Sequence, residues 1–517
     1  MANELEFNIK EYGGTPLTAP KQQHEIHEDL RAKLSLVMVD NSHVLLISKK
    51  HSIDTDVRGF KRRMERVIEK LRIVEVDYSV IAQTYVESNR KQEVSSTMQA
   101  YATRLFKRAT DLHASDIHIR INTQNTTILF GIYDEMVHHK DESVEFGKQL
   151  CTAIYGAMAD VADATYESLN RQDARISDKS KIGQNLDGIR IATSPQVGGQ
   201  TMTLRLLYDD SNASHDVETM GYLPHQAKQL KSASKKPTGI NIITGPTGAG
   251  KSTTLQRQLS QIMVDTNFRL NLITVEDPPE YKIAGAVQTP VTNANTEEER
   301  SHAFQDAILA AMRQAPKIIM TGEIRDAASA SLAFRAAMTG HQVWTTLHTI
   351  GVFPTFARLK DLGVPDDLLF DPEIVTSITS QRLVKVLCDC KVPLLNNVER
   401  FAAEDIDRFE KTIKNIDHVF VKRDQDGVCG CERCNHTGTI GRKAVAEVLL
   451  PTPLLMRILR QQGREAGYRY WKEKMGGMTL RETLLLDIDK GIVDPFAAES
   501  VVGLLDFDPI APEANEA

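Results

Sequence analysis

The sequence predicts an α/β fold centred on an open parallel sheet with crossover helices, and three observations predict it. Between residues 238 and 350, four short apolar runs (Gly239–Ile243, Leu270–Val275, Lys317–Met320 and Gln342–Thr345) alternate with helical patterns. Each run ends in polar or glycine residues, and ligands of open α/β sheets bind outside the carboxyl ends of the strands. The 517 residues are 41% hydrophobic and 25% charged, a composition that supports several globular cores and excludes fibrous or wholly disordered chains.

In chain order, residues 1–95 mix β-like runs such as Val44–Ile47 with an amphipathic helical stretch from Phe60 to Ile73, and carry no chemical motif. They read as an N-terminal interaction domain. Residues 97–208 combine a helical Met98–Ala109 with strand patterns at Ser115–Ile119, Thr126–Tyr133, Gly188–Thr193 and Thr201–Leu207, which predicts a small α+β domain. Residues 209–236, rich in Asp, Ser, Asn and Lys, read as a linker with at most one helix. The sheet-forming core follows at 237–386, then a mostly helical stretch beyond 350, a cysteine-rich subdomain at 387–450 and a helical region at 451–517 with an acidic tail. The net charge of −7 offers no global attraction to nucleic acid or anionic lipid, and no basic strip is interleaved with aromatics, so direct nucleic-acid binding is not expected. No secretory-leader pattern or apolar span of about 18 residues is read in the sequence, so a cytoplasmic location is the expectation. Its six cysteines are then expected to be reduced, with the isolated Cys151 a buried apolar filler.

The most specific motif is Gly245-Pro246-Thr247-Gly248-Ala249-Gly250-Lys251-Ser252, followed by Thr253. It matches GxxxxGK[ST] between an apolar strand pattern and a helical one. The glycines let successive backbone N–H groups turn inward around phosphates, and the helix N-terminus adds its positive end. Lys251 can reach the β- and γ-phosphates and the Ser252 hydroxyl can ligate Mg²⁺. An ordinary turn needs neither the lysine nor three glycines, so this predicts a nucleoside triphosphatase site.

Hydrolysis also needs groups that orient water and hold the metal, and carboxylates at neighbouring strand ends are the expected source. The run ending at Val275 delivers Glu276-Asp277-Pro278-Pro279-Glu280, and the run ending at Met320 delivers Glu323, Arg325 and Asp326. A fourth run leads to His348, which can sense a γ-phosphate, with His341 at its other end. A hydrogen-bonded structural role is the competing reading for both histidines.

The order of these motifs resembles the secretion ATPases of type II secretion and type IV pilus assembly. GPTGAGKST looks like their Walker A, ITVEDPPEY their aspartate box, TGEIRD their Walker B and TGHQVWTTLHT their histidine box. Upstream, ASDIHI, QDARI, Asp187–Arg190 and Thr203–Leu207 extend the likeness, as do Ser380–Val384, the cysteines, Gly441-Arg442 and Glu447 downstream. It departs at Gln314–Lys317, where the family is usually acidic, and at Ile350, often Asn. The resemblance implies a RecA-like P-loop ATPase core at 237–386 that binds ATP and Mg²⁺, with the 97–208 domain contributing Arg190 and Arg205 to the nucleotide. It further implies that Glu276 polarises the attacking water, that Glu323 holds the Mg²⁺ shell, and that the chain forms a homo-hexamer. That ring would power pilin extension or secretion, peripheral to the inner membrane through a platform protein. A DNA-handling or conjugation-type P-loop translocase is the alternative; the charge balance disfavours it. A GTPase is disfavoured by the lack of an NKxD motif, and a non-hydrolysing scaffold by the joint presence of Glu276, Glu323, Arg190 and Arg205.

Five cysteines, Cys388, Cys390, Cys429, Cys431 and Cys434, cluster in sequence. Extension and secretion motors of this family carry such an element and an additional N-terminal domain, whereas retraction motors generally lack both. Cys431-x-x-Cys434 has zinc-knuckle spacing, and four of the five thiolates would satisfy a structural Zn²⁺, with Cys429 able to replace Cys388 or Cys390 of the shorter CxC pair. The stretch from Asn396 to Asp426 has too few apolar residues for its own core, which makes a metal cross-link the expected organiser.

Overall fold

The computed structural model describes residues 16–19, 22–39, 42–162, 165–209, 214–291, 296–425 and 428–507. The chain divides into two compact units, Met1–Leu206 and Leu207–Ala517.

The first unit opens with a three-stranded sheet in which β1 (Leu34–Val39) pairs antiparallel with β2 (Ser42–Ser48), and β2 pairs parallel with β3 (Leu71–Val76). The crossover helix Thr55–Val67 buries Val57, Phe60 and Met64 against Leu34, Leu36, Leu45 and Ile47. The helical stretch predicted from Phe60 to Ile73 therefore stops at Val67. Ile68 is already extended, and Leu71–Val76 carries three β-branched residues that suit a strand. A 34-residue helix, Tyr78–Asp111, then runs through the domain boundary expected at 95–97. It leads into a seven-stranded antiparallel sheet of order β6-β5-β4-β10-β9-β8-β7. The strands are β4 Asp116–Ile121, β5 Thr126–Ile132, β6 Glu135–Glu142, β7 Val161–Ala162, β8 Gln172–Ile176, β9 Leu186–Gln196 and β10 Gly199–Tyr208.

The second unit is built on a mixed seven-stranded sheet of order β13-β12-β14-β15-β11-β16-β21. Its strands are β11 (Gly239–Thr244), β12 (Leu272–Glu276), β13 (Ala286–Pro290), β14 (Ile318–Thr321), β15 (Gln342–Leu347), β16 (Val375–Leu387) and β21 (Thr439–Leu449). All neighbours pair parallel except β16 with β21. Every residue of β11, β12, β14 and β15 is buried, as expected for parallel strands covered on both faces. One face packs Ile240, Ile242, Ile319 and Val343 with Phe334, Phe353 and Trp471. The other packs Ile243, Met320 and Trp344 with Leu255, Leu259 and Met263 of the helix Lys251–Asp265.

Three expectations are corrected. The stretch beyond 350 is not mostly helical: it carries β16, which lies beside β11. Its Ser and Thr residues obscure it in sequence, yet Thr376 and Ser377 donate to the side-chain oxygen of Asn241 at 3.0 and 2.7 Å, so these two hydroxyls are satisfied inside the sheet, while the buried hydroxyls of Thr379 and Ser380 have no hydrogen-bond partner among the described residues. Residues 439–449, assigned to the cysteine-rich subdomain, form β21 at the sheet edge. The segment 214–236 is packed rather than a free linker: Val217, Tyr222 and Leu230 are buried with Ala444, Ala446 and Val448, and Gln226 Nε2 donates to the Ala446 carbonyl at 2.6 Å.

Between β16 and β21 the chain makes an excursion with two short ribbons, β17 (Val392–Pro393) with β18 (Phe420–Val421) and β19 (Asp424–Gln425) with β20 (Val428–Cys429). Its apolar residues share a core with the C-terminal helices: Leu394, Ile406, Phe409, Ile413 and Val419 pack with Leu484, Ile488, Val493 and Leu505. A cross-link is thus not the sole organiser of this region.

Candidate functional site

The glycine loop begins where β11 ends, at the carboxyl edge of the sheet. Gly248 and Gly250 have φ of 78° and 79°, a region open to glycine at little cost. Gly245 is required by crowding as well: a Cβ there would lie 2.5 Å from the Gln381 carbonyl oxygen of β16. The helix Lys251–Asp265 starts directly after Gly250, so its first N–H groups and its positive end face the loop. Ser252 and Thr253 sit in its first turn, and Thr253 Oγ1 is 3.3 Å from the Tyr281 hydroxyl.

Lys251 is folded back on its own loop. Its Nζ donates to the carbonyls of Gly245 and Pro246 at 2.9 and 3.0 Å and lies 3.5 Å from His348 Nε2. Burial lowers its pKa from the ordinary lysine value. His348 is in turn 3.1 Å from Glu323 Oε1, and burial followed by the Lys251 charge holds its imidazole below the usual range. Glu323 Oε2 accepts from Arg325 Nε at 3.1 Å, and Arg325 also donates to Asp277 at 3.3 Å. The structure thus joins Lys251, His348, Glu323, Arg325 and Asp277 in one polar chain across the ends of β11, β15, β14 and β12. His341, by contrast, sits at the amino end of β15 with Nδ1 3.0 Å from the Ala336 carbonyl, a structural setting.

Glu276 differs from Glu323 in environment. It is 7% exposed, and its Oε1 accepts from Thr274 Oγ1 at 2.6 Å and from Gln288 Nε2 at 3.0 Å. Burial raises its pKa above the ordinary carboxylate value, only partly offset by these donors. Glu280 is exposed. Sequence reasoning missed Gln288, on the edge strand β13, and Gln381 and Arg382, which reach the loop from β16. The latter pair falls within the stretch Ser380–Val384 noted for its family likeness, but in the middle of a strand, β16, that its Ser and Thr residues hide in sequence. In the first unit, Arg190 and Arg205 lie on adjacent strands β9 and β10; Arg190 is exposed and Arg205 Nε pairs with Asp116 at 3.0 Å.

A second constellation forms where β16 runs out and the chain approaches β21. The sulfurs of Cys388, Cys390, Cys431 and Cys434 all lie within 4.8 Å of one another. Individual separations are 3.8 Å for Cys388–Cys431, 4.0 Å for Cys390–Cys434 and 3.8 Å for Cys431–Cys434. A tetrahedron of thiolates about 2.3 Å from a zinc ion has edges of about 3.8 Å, whereas a disulfide needs about 2.05 Å, so the donor set fits the metal. Cys429 stands outside this group of four. Burial pushes the Cys434 thiol up, but backbone N–H groups of Cys431 and Gly438, at 3.1 and 3.3 Å, outweigh it and bring it down to about 7. Burial pushes the thiols of Cys388 and Cys390 up.

A loop and helix start of this kind, at the carboxyl edge of a mainly parallel sheet, is the arrangement of a P-loop α/β fold. The chain belongs to the family described as type II/IV secretion system protein, whose model matches residues 91–502. It is 33% identical over 355 residues to "Type II secretion system ATPase E" of Vibrio cholerae, covering 68% of this chain and 65% of that protein. It is 34% identical over 329 residues to "Type IV pilus assembly ATPase PilB" of Pseudomonas aeruginosa, covering 62% of this chain and 53% of that one. The chain therefore spans less than two thirds of the length of these curated relatives. Among solved structures, the ATPase DotB of Legionella pneumophila shares the fold with a TM-score of 0.56 at 22% identity, over 78% of this chain and 95% of that one. The pilus retraction motor PilT, solved with bound ADP, does so with a TM-score of 0.51 at 23% identity, over 77% and 96%.

The raised pKa of Glu276 gives a signed expectation. In the window between its unfolded and folded pKa values the folded chain binds the extra proton, so this group's contribution to stability falls as pH rises and is least favourable above the folded value. Glu276→Gln should therefore melt higher than the parent near pH 8, and the difference should shrink as pH falls through that window towards the ordinary carboxylate range. Thermal melts of both proteins across this range check it; a gap that widens on acidification contradicts the assignment.

Proposed function

We propose that this chain is a mechanochemical ATPase that couples ATP hydrolysis to type IV pilus assembly or type II secretion. The observation that carries the reading is the loop Gly245–Ser252 at the carboxyl end of β11, with two carboxylates of contrasting environment on neighbouring strands. ATP is the substrate, and a bound Mg²⁺ would supply charge neutralisation at the phosphates, held by Ser252 and Glu323. Lys251, already directed into the loop, exchanges its carbonyl partners for the β- and γ-phosphates. Glu276, held by Thr274 and Gln288, orients the attacking water; burial raises its pKa above the ordinary carboxylate value, which makes it a stronger proton acceptor than an exposed carboxylate. His348, beside both Lys251 and Glu323, is placed to register the terminal phosphate. Arg190 and Arg205 are assigned to the nucleotide as arginine fingers, which neutralise charge on the transferring phosphoryl group.

Family membership supports a homo-hexamer that docks on an inner-membrane platform protein and works at the cytoplasmic face of that membrane. Among the described residues no helix is long and apolar enough to cross a bilayer, which fits attachment through a partner.

The role assignments predict different failures. Lys251→Ala should weaken nucleotide binding and turnover together, whereas Glu276→Gln should retain binding and lose turnover by about 10²–10⁴-fold. Equilibrium titration with a fluorescent ATP analogue and steady-state phosphate release separate the two. Near-normal turnover in Glu276→Gln would pass the role to Glu280 or Glu323.

We further infer a structural Zn²⁺ held by Cys388, Cys390, Cys431 and Cys434. It would staple the end of β16 to the turn before β21, and it lies in sequence outside the strand ends that carry the nucleotide chemistry. Elemental analysis of untagged protein purified without chelator should give about one zinc per chain. Cys431→Ser should lose the metal and lower the melting temperature while leaving nucleotide affinity near that of the parent, because the surrounding core persists. Well under one zinc in the parent would refute the site.

A further inference from the structure

Gln381, on β16, is fully buried, and its side-chain amide meets three separate parts of the second unit. Its Nε2 donates to the Ala249 carbonyl inside the glycine loop at 2.5 Å. Its Oε1 accepts from Thr254 Oγ1, in the helix after the loop, at 2.8 Å. The same oxygen accepts from the Tyr222 hydroxyl at 2.5 Å. Tyr222 belongs to the segment 214–222, near the start of the second unit, and it is 3% exposed. That segment is tied to the same helix a second time, because Arg257 Nη1 donates to the Ser214 carbonyl at 2.6 Å and to Thr219 Oγ1 at 3.1 Å.

The loop is packed against this residue from two directions. A Cβ on Gly245 would lie 2.5 Å from the Gln381 carbonyl, and one on Gly250 would lie 3.1 Å from Gln381 Nε2. Lys251 Nζ now binds the carbonyls of Gly245 and Pro246 and must leave them to reach phosphates, so nucleotide binding re-sets the hydrogen bonding of the loop. A shift at Ala249 is then passed to a planar amide whose acceptor lone pairs are both engaged, with no slack before Tyr222. Burial pushes the Tyr222 phenol up, which keeps it a donor at any physiological pH.

We propose that Gln381 is a positioning residue that couples nucleotide occupancy of the glycine loop to the segment 214–222 through the Tyr222 hydroxyl. This rests on the ATPase reading above and deepens it, by naming the internal path along which the nucleotide state leaves the site. The coupling sets the turnover rate rather than the strength of binding, because the groups involved reach the loop through its backbone and not through the phosphates.

Hydrogen–deuterium exchange of the full chain, with and without Mg²⁺ and a non-hydrolysable ATP analogue, tests the coupling. In the parent, the analogue should slow exchange both in the peptide 245–255 and in the peptide 214–223. Tyr222→Phe, which keeps the ring, should retain protection of 245–255 but lose that of 214–223, with kcat lower by about five-fold and KM within about two-fold. Gln381→Asn, too short to span the three partners, should behave the same way, and agreement of the two variants excludes a simple packing defect in either. Parent protein protected at 245–255 but unchanged at 214–223, or Tyr222→Phe with the parental response at 214–223, would overturn the proposal. A parent that shows no protection at 245–255 would instead refute the nucleotide site itself, and the coupling with it.

Discussion

The close approach of the glycine loop to β16 is the constraint on which the rest of the second unit depends. Gly245 leaves β11 so near the Gln381 carbonyl that no side chain fits between them. This is possible only because β16 lies beside β11, where the hydroxyls of Thr376 and Ser377 find a partner in the Asn241 side-chain oxygen. The antiparallel addition of β21 then covers the sheet edge, gives Tyr222 and Leu230 a surface to pack on, and brings the two cysteine pairs together. The P-loop geometry, the packed connector and the sulfur cluster are thus consequences of one strand placement.

At the other side of the loop the controlling interactions are electrostatic. Lys251, His348, Glu323, Arg325 and Asp277 alternate in charge and hydrogen-bonding role along the carboxyl edge. With Lys251 on backbone carbonyls and Glu323 shared between His348 and Arg325, each group has a partner before any phosphate arrives. Glu276 sits apart in a drier environment, fixed by Thr274 and Gln288, so the two carboxylates differ in burial and in partners.

Much of this was legible in the sequence, for identifiable reasons. The strands β11, β12, β14 and β15 are buried on both faces, so they read as mainly apolar runs, and the glycines and lysine of the loop match a specific spacing pattern. By contrast β16 was not legible, because a buried Ser or Thr with a partner on the next strand looks in sequence like an exposed one. The half-exposed edge strand β13 carries the same ambiguity, and with it went Gln288. The Cys431-x-x-Cys434 pair announced itself by spacing, but its partners were fixed only by the fold, which selects Cys388 and Cys390 at the end of β16 and leaves Cys429 in β20 outside the cluster. Sparse apolar residues between 396 and 426 suggested a region needing a cross-link; their shared core with residues 480–505 is a long-range contact that no local pattern encodes.

The central claim, that the loop after β11 holds a triphosphate for hydrolysis, is tested most directly by inorganic phosphate release from ATP by the intact chain, measured with Mg²⁺, with excess chelator, and after Mg²⁺ is restored. The account predicts saturable release that disappears on chelation and returns with the metal. ATP that binds in the presence of Mg²⁺ without phosphate release above the buffer rate would contradict it.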